Sequence, residues 1–210
     1  MTVRILIADD HAIVREGLSM ILEALDDLIV VGEARDGREA VALAEALRPD
    51  VVVMDIAMPE LNGIDATRTI CERLPGVAVI MLSMHNTSEH VFRALQAGAR
   101  AYLLKESAGA GLVTAVRTVV RGENYFGEGV DAPATQISPK SPLESLSQRE
   151  REVVQLVVAG KTSAEIALIL CLSPKSVETY RSRLMTKLGV NNISTLVKFA
   201  LQHGITPFKI

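Results

Sequence analysis

Apolar and polar residues follow two alternating periods along the first 122 residues. Short apolar runs rich in β-branched residues predict strands at residues 3–8, 28–34, 51–55, 77–82 and 101–104. The segments between these runs, and residues 107–121, repeat apolar positions at the spacing of a helix. Five strand–helix units in this order predict an α/β fold: a doubly wound, five-stranded parallel sheet with helices on both faces.

A purely helical pattern begins at residue 143. Four amphipathic stretches follow one another, with Gly160 and Gly189 as stop signals and Ser173-Pro174 as a start signal. They predict an all-α, four-helix domain over residues 143–208. Because a short turn separates its second and third helices, we expect a helix-turn-helix at about residues 163–188.

Residues 123–142 separate the two patterns. They are rich in Gly, Pro, Ser and Thr without a hydrophobic period, which is typical of a linker. Tyr125-Phe126 is the exception, and we interpret this pair as packing against one of the domains. The predicted organisation is a first domain at 1–122, a linker at 123–142 and a second domain at 143–208.

The composition, with 49% hydrophobic and 22% charged residues, is that of a soluble globular protein. No apolar run reaches the roughly 20 residues that span a bilayer, and the amino terminus lacks a signal-peptide layout. Cys71 and Cys171 lie far apart within helical patterns, so we expect buried, reduced thiols and a cytoplasmic protein. Residues 1–124 carry a net charge of −6 and residues 143–210 carry +4, which favours a polyanion as partner of the second domain.

The strand ends carry the chemistry of the first domain. Asp9 and Asp10 follow the first strand and Asp55 the third, while Ser83 and Lys105 end the fourth and fifth. If these strands are neighbours, all five side chains meet at one edge of the sheet. Three carboxylates there favour Mg²⁺, and one of them can attack phosphorus to form an acyl phosphate. Lys105 and Ser83 would then stabilise the phosphoryl oxygens.

Each of these residues also has a simpler explanation. Asp9 and Asp10 suit a helix cap, Lys105 suits a solvated strand end, and Ser83 is common in turns. The presence of all five at the ends of the appropriate strands favours a phosphoacceptor site.

The predicted helix at 174–188 has one apolar and one polar face. Val177, Tyr180, Leu184 and Leu188 recur at helical spacing and are expected in a core. The other face carries short polar side chains bordered by Lys and Arg, which suits the major groove of DNA. A solvated helix face or a small protein-binding module fits the same charges, so these residues leave the three possibilities open.

Residues 1–122 resemble the receiver domain of two-component response regulators, which has a flavodoxin-like fold. The matching segments are residues 7–11, 54–59 with Asn62-Gly63, 82–83 and 101–105. The resemblance implies that Asp55 is phosphorylated and that Mg²⁺ is the cofactor. Its implied ligands are Asp10, Asp55, the Ala57 carbonyl and, through water, Asp9. The residues implied to stabilise the phosphoryl group or to switch are Ser83, Lys105 and Tyr102.

Residues 143–208 resemble the LuxR-type helix-turn-helix, the output domain of the NarL/FixJ class. The matching segments are residues 146–153, 165–167, 177–181 and 187–190. The resemblance implies that the helix at 174–188 is the recognition helix. The implied DNA contacts are Lys175, Glu178, Thr179, Arg181, Ser182, Arg183 and Lys187. The last helix, 193–202, is implied to dimerise through exposed residues, namely Leu196, Val197 and Ala200.

The combined resemblance predicts a bacterial transcription regulator that binds specific DNA when a sensor histidine kinase has phosphorylated Asp55. The expected partners are that kinase, promoter DNA, a second copy of the active chain and RNA polymerase, but no membrane. Its expected chemistry is limited to autophosphorylation from phosphodonors and self-dephosphorylation, so we do not expect an enzyme.

Two alternatives come from other classes. A phosphatase of the haloacid-dehalogenase type needs an acid two residues after its nucleophile, where this chain has Ala57. A constitutive DNA-binding or docking factor with a non-switching receiver is the second alternative. The complete set of polar residues at the strand ends argues against it.

Overall fold

A computed structural model describes residues 2–84, 86–130 and 145–202, with residues 201 and 202 described by their backbone alone. The chain divides into two compact units, which are described separately. Every helix within the described ranges is too short or too polar to cross a bilayer.

Strands and helices alternate in the first unit. Its described elements are β1 (Val3–Ala8), α1 (Ala12–Glu23), β2 (Leu28–Ala34), α2 (Gly37–Leu47), β3 (Val51–Asp55), α3 (Gly63–Arg73), β4 (Ala78–Ser83), α4 (Ser88–Gln96), β5 (Ala101–Leu104), α5 (Ala108–Val120) and β6 (Tyr125–Phe126). A single 3₁₀ turn, Lys105–Ser107, joins β5 to α5. The predicted α/β class and the alternation of elements are confirmed.

The sheet is parallel throughout, with the strand order β2-β1-β3-β4-β5-β6. This order makes β1, β3, β4 and β5 neighbours, which is the condition for a site at their ends. Ala8 pairs with Met54, Asp55 with Leu82, and Ser83 with Leu104. Because parallel strands point the same way, the residues that follow them gather at one edge.

The centre of the sheet is covered on both faces. Every residue of β3 and β4 is buried, which explains why these strands are continuous apolar runs rather than alternating ones. On one face, β1, β3 and β4 pack against apolar residues of α1 and α5, including Leu18, Leu22, Leu112 and Val116. The site at the strand ends therefore stands on a rigid, fully buried support.

The predicted count of five strands is wrong by one. Tyr125 and Phe126, in the predicted linker, pair in parallel with Ala101 and Tyr102 of β5. The sequence predicted that this pair packs against a domain but not that it forms a strand, because two residues are too few to show a period. Residues 131–142 of the predicted linker lie outside the described residues.

The second unit is helical, with α6 (Gln148–Val158), α7 (Ser163–Leu170), α8 (Pro174–Leu188) and α9 (Ile193–Gln202) as its described elements. Capping boxes begin α6 and α7, Ser173 caps α8, and Gly189 ends α8 in the left-handed region with φ 66°. A single core, which includes Val153, Leu156, Ile166, Val177 and Leu184, holds the four helices together.

Gly63, at the start of α3, lies against the backbone of β3. Its N–H donates to the Ile56 carbonyl at 2.9 Å. A Cβ atom at position 63 would lie 1.9 Å from the Asp55 carbonyl oxygen, so only glycine permits this approach.

We therefore expect Gly63→Ala to destabilise the first unit by about 2 kcal/mol or more, because either α3 or the end of β3 must move. Gly76→Ala is the matched control, since a Cβ there has no atom within 4 Å. Urea unfolding of the two variants measures the difference. Equal stability of both variants would contradict the close approach.

Candidate functional site

The carboxyl ends of the strands bring two carboxylates onto one ammonium group. Lys105 Nζ lies 2.6 Å from Asp9 Oδ2 and 3.1 Å from Asp55 Oδ2. Asp9 is fully buried and Asp55 nearly so. Neither Oδ2 atom accepts a well-aligned hydrogen bond from the described residues, so both depend on Lys105 for compensation.

Asp10 and His11 complete the acidic side of the site. Asp10 is partly buried, and its Oδ1 lies 2.7 Å from His11 Nδ1. The backbone N–H of His11 donates to Asp9 Oδ1 at 2.9 Å, which fixes the Asp9 carboxylate at the start of α1. The side chain of His11 is 58% exposed. Ligand atoms of Asp9, Asp10 and His11 lie within 4.8 Å of one another.

The electrostatics of this cluster favour a bound cation. Burial raises the pKa of Asp55 to about 6, against the opposing effect of Lys105, and the nearby Asp9 charge raises it further. Burial by itself disfavours the charged form of Lys105, yet the Asp55 and Asp9 carboxylates raise its pKa. Three acidic groups with one compensating ammonium fit a hard divalent cation such as Mg²⁺, which prefers oxygen ligands. His11 suits that ion less well than the carboxylates do.

Ser83 and Tyr102 form a pair beside Asp55. Ser83 is buried at the end of β4, and Tyr102 is completely buried within β5. Burial raises the pKa of Tyr102 to about 12; a hydrogen bond with Ser83 opposes this rise, and the Asp55 charge adds to it. The two implied switch residues are thus in contact, with the Tyr102 ring already inside the protein.

In the second unit, α8 has the two faces that its sequence predicts. Val177 and Leu184 are fully buried, while Tyr180 and Leu188 pack partly buried against the same core. The exposed residues on the outer side are Lys175, Glu178, Thr179, Ser182, Arg183, Thr186 and Lys187. The predicted polar face is therefore accessible in this unit.

Lys187 and Arg181, two of the residues implied to contact phosphates, pair with other residues of the same domain. Lys187 Nζ lies 2.7 Å from Oε2 of the buried Glu150, which also caps the start of α6. Burial opposes ionisation of Glu150, but hydrogen bonds from Lys187 and Ser147 outweigh it and lower the pKa of this carboxyl. Arg181 donates to Ser163 Oγ of α7 at 2.8 Å. Lys175 and Arg183 form no ion pair with any residue in the described ranges.

The predicted exposure of α9 is wrong at two of its three residues. Leu196 and Ala200 are 1% and 0% exposed and belong to the core of the second unit. Val197 is partly exposed, and Ile193 at the start of the helix is 50% exposed. The helical period identified an apolar stripe but could not tell whether a core or a second chain covers it.

The prediction of two buried thiols is also wrong. Cys71 is partly buried and Cys171 is exposed, and both are free. Cys171 is not inside a helix: it ends α7 in the left-handed region with φ 53°, at the turn before α8.

Comparison with known families decides what this combination is. The receiver domain family of response regulators matches residues 5–117, and the LuxR family of bacterial regulatory proteins matches residues 144–200. The chain is a two-component response regulator of the NarL/FixJ class. It is therefore a DNA-binding transcription regulator with a receiver domain, and not an enzyme in the usual sense.

Relatives of this response regulator match along nearly its whole length. The chain is 36% identical to the transcriptional regulatory protein MctR of Rhizobium johnstonii, over 97% of this chain and 95% of that protein. It is 37% identical to the response regulator UvrY of Escherichia coli K12, over the same shares of both chains. It is 39% identical to the oxygen regulatory protein NreC of Staphylococcus epidermidis, over 98% of this chain and all of that one.

Solved structures of one regulator show the same two-part fold. A structure of RcsB from Salmonella typhimurium is 29% identical to this response regulator, covers 96% of this chain and 98% of its own, and superposes with a TM-score of 0.59. A structure of two RcsB dimers on two parallel DNAs is 29% identical, covers 97% and 99%, and has a TM-score of 0.61.

The roles of some residues at the regulator's sites were not predicted from the sequence. Gly63 was noted only within a segment that resembles the receiver domain, although Asn62-Gly63 after a buried strand is a signal for close backbone approach. The pairing of Glu150 with Lys187 was not predicted, because 37 residues separate them in the sequence. Ser163 gave no signal, since a serine at a helix start is common.

The raised pKa of Asp55 predicts a pH-dependent stability. Since the folded-state pKa of about 6 exceeds the ordinary value of 3.8, this group favours folding most below pH 3.8 and loses that contribution as the pH rises through about 6. Without metal at about pH 7.5, Asp55→Asn should therefore be more stable than the wild type by up to about 3 kcal/mol. The difference should vanish at about pH 4.

Urea unfolding in the presence of a chelator measures the stability of the wild type and of Asp55→Asn at both pH values. Asp27→Asn is the matched control, because Asp27 is half exposed and pairs only at the surface with Arg117. A wild type as stable as Asp55→Asn at both pH values would show that burial does not disfavour the Asp55 charge.

Proposed function

We propose that phosphorylation of Asp55 switches promoter binding by this response regulator. The observation that carries the proposal is the contact of Lys105 with both Asp9 and Asp55 at one end of the sheet, at 2.6 and 3.1 Å. A buried carboxylate beside a fixed ammonium and two further carboxylates suits phosphoryl transfer, which depends on positioning and charge neutralisation.

In the proposed reaction an Asp55 carboxylate oxygen attacks the phosphorus of a phosphohistidine on the sensor kinase. The new O–P bond forms as the N–P bond breaks, and the kinase histidine recovers its nitrogen lone pair. Lys105 holds Asp55 in place and pairs with a phosphoryl oxygen. Asp10, Asp55 and the Ala57 carbonyl would hold Mg²⁺, with Asp9 acting through water, and the ion would supply further positive charge. Small phosphodonors react in the same way, and hydrolysis of the acyl phosphate resets Asp55.

The proposed switch begins at Ser83 and Tyr102. Phosphorylation adds negative charge and acceptor oxygens beside Asp55, and the Ser83 hydroxyl turns to donate to one of them. Its bond with Tyr102 then changes. Because Tyr102 pairs with Phe126 and its carbonyl accepts from the Gly127 N–H at 2.9 Å, a shift in β5 also reaches β6. The chain beyond β6 leads to the DNA-binding domain.

On the DNA side we propose α8 as the recognition helix, with Glu178, Thr179 and Ser182 at base edges. Lys175 and Arg183 bind phosphates. Arg181 and Lys187 instead pair with Ser163 and Glu150 of the same domain. The dimer contact lies on the exposed side of α9, at Val197 and Ile193, so that two copies bind half-sites about one DNA turn apart.

The proposed setting follows from these roles. The receiver comprises residues 1–122 together with β6, the linker comprises the residues after β6 up to 142, and the DNA-binding domain comprises residues 143–208. The regulator acts in the bacterial cytoplasm, where a sensor histidine kinase, promoter DNA and RNA polymerase are its partners. The rival proposal is a constitutive DNA-binding factor with a non-switching receiver, and the next experiment separates the two.

We expect a small phosphodonor with Mg²⁺ to raise the affinity of the full chain for its selected DNA, and Asp55→Asn to abolish the increase. Without the carboxylate oxygen no acyl phosphate forms. Fluorescence anisotropy with labelled duplex measures the affinity, with Asp27→Asn as control. An unchanged, phosphodonor-dependent increase in Asp55→Asn would exclude Asp55 as the switch, and equal affinity of the wild type with and without donor would favour the constitutive factor.

Lys175 and Arg183, the α8 cations that form no ion pair with any described residue, give a second prediction. Arg183→Gln should weaken binding to all duplexes alike and reduce the slope of log affinity against log salt by about 1, because one phosphate contact is lost. Anisotropy titrations at several salt concentrations measure the slope.

Lys187→Gln should behave differently, since it leaves the buried Glu150 carboxylate without its cation. We expect it to destabilise the domain by about 1–3 kcal/mol in urea unfolding. If Lys187→Gln instead left stability intact and reduced the salt slope, Lys187 would be a phosphate contact and its pairing with Glu150 would be unimportant.

A further inference from the structure

A serine of α7 joins two residues of the recognition helix. The Ser163 hydroxyl donates to Glu178 Oε1 and accepts from Arg181 Nη1 at 2.8 Å. Arg181 Nη1 also lies 3.7 Å from Glu178 Oε1. These three side chains, called here the 163–178–181 triad, connect the first turn of α7 with the middle of α8.

The hydrogen-bond capacity of Ser163 gives the triad a defined orientation. A serine hydroxyl has one proton and two lone pairs. Since its proton goes to Glu178 and a lone pair accepts from Arg181, Ser163 holds both charged groups at once. The Arg181 side chain is 23% exposed and the Glu178 side chain 61%, so the arginine lies inward and the carboxylate stays accessible.

The charges explain how an acidic residue can lie on a DNA-binding face. A bare carboxylate there would be repelled by the phosphates, but Arg181 compensates much of this charge. Both triad contacts fall on Oε1, and no residue within the described ranges donates to Oε2. That oxygen remains an acceptor, and a carboxylate acceptor in the major groove matches the amino group of cytosine.

We infer that Ser163 is a positioning residue for sequence recognition: it sets the Glu178 carboxylate so that Oε2 accepts from a cytosine amino group, with Arg181 as its counter-charge. Ser163 acts through Glu178 rather than by its own base contact. The inference rests on the proposed function, in which α8 lies in the major groove.

The test uses the full chain, treated with phosphodonor and Mg²⁺. Selection from random duplexes first defines the preferred half-site of the wild type. Affinities are then measured for duplexes changed at one base pair at a time, and for an unrelated duplex, with Ser163→Ala, Ser163→Thr, Glu178→Ala and the double variant S163A/E178A.

We expect Ser163→Ala to lose discrimination by about tenfold at one base pair that contains cytosine, with binding to the unrelated duplex nearly unchanged. Ser163→Thr keeps the hydroxyl and should retain the preference. The double variant should lose no more at that base pair than Glu178→Ala alone, because both changes remove the same contact.

A purely structural role of Ser163 would weaken binding to every duplex by the same factor, and this result would overturn the inference. Unchanged preferences in Ser163→Ala would overturn it as well, while leaving the proposed function intact. A wild type that enriches no sequence would refute the proposed DNA recognition itself, and the role of Ser163 with it.

Discussion

Two buried carboxylates that share one lysine, at the carboxyl ends of the buried central strands, are the constraint on which the receiver depends. Asp9 and Asp55 share Lys105, and burial keeps the pKa of Asp55 near 6 despite that ammonium. Such a site is costly for the apoprotein and improves when positive charge arrives. Under the proposed function, the same imbalance would make Asp55 responsive to a cation and to a phosphoryl group, because each changes a charge that Lys105 only partly compensates.

The sheet supports this site and also connects it, through β5, to the edge strand β6. β5 carries Tyr102 in contact with Ser83 on one side, and on the other side pairs with β6. Gly111 and Gly127 allow close packing around Leu103 of β5. A Cβ atom would lie 3.0 Å from Leu103 Cδ2 at position 111 and 2.7 Å from it at position 127. In the proposed switch, a movement of Ser83 and Tyr102 would therefore pass from β5 to β6 through their backbone hydrogen bonds.

The fold was predictable from the sequence wherever a period or a cap signal was long enough to be recognised. The five βα units, the neighbouring strand ends and the caps at Asp36, Ser147 and Ser173 all follow from local patterns. β6 was missed because two residues have no period. The burial of Leu196 and the pairing of Lys187 with Glu150 were missed because both depend on contacts between distant segments, which one sequence does not reveal.

The most direct test of the central claim is mass spectrometry of the purified chain after incubation with a small phosphodonor, with and without Mg²⁺. The account predicts the gain of one phosphoryl group that requires Mg²⁺, maps to Asp55 after peptide digestion and is absent from Asp55→Asn. A stable chain that gains no phosphoryl group, or gains it on another residue, would contradict the account.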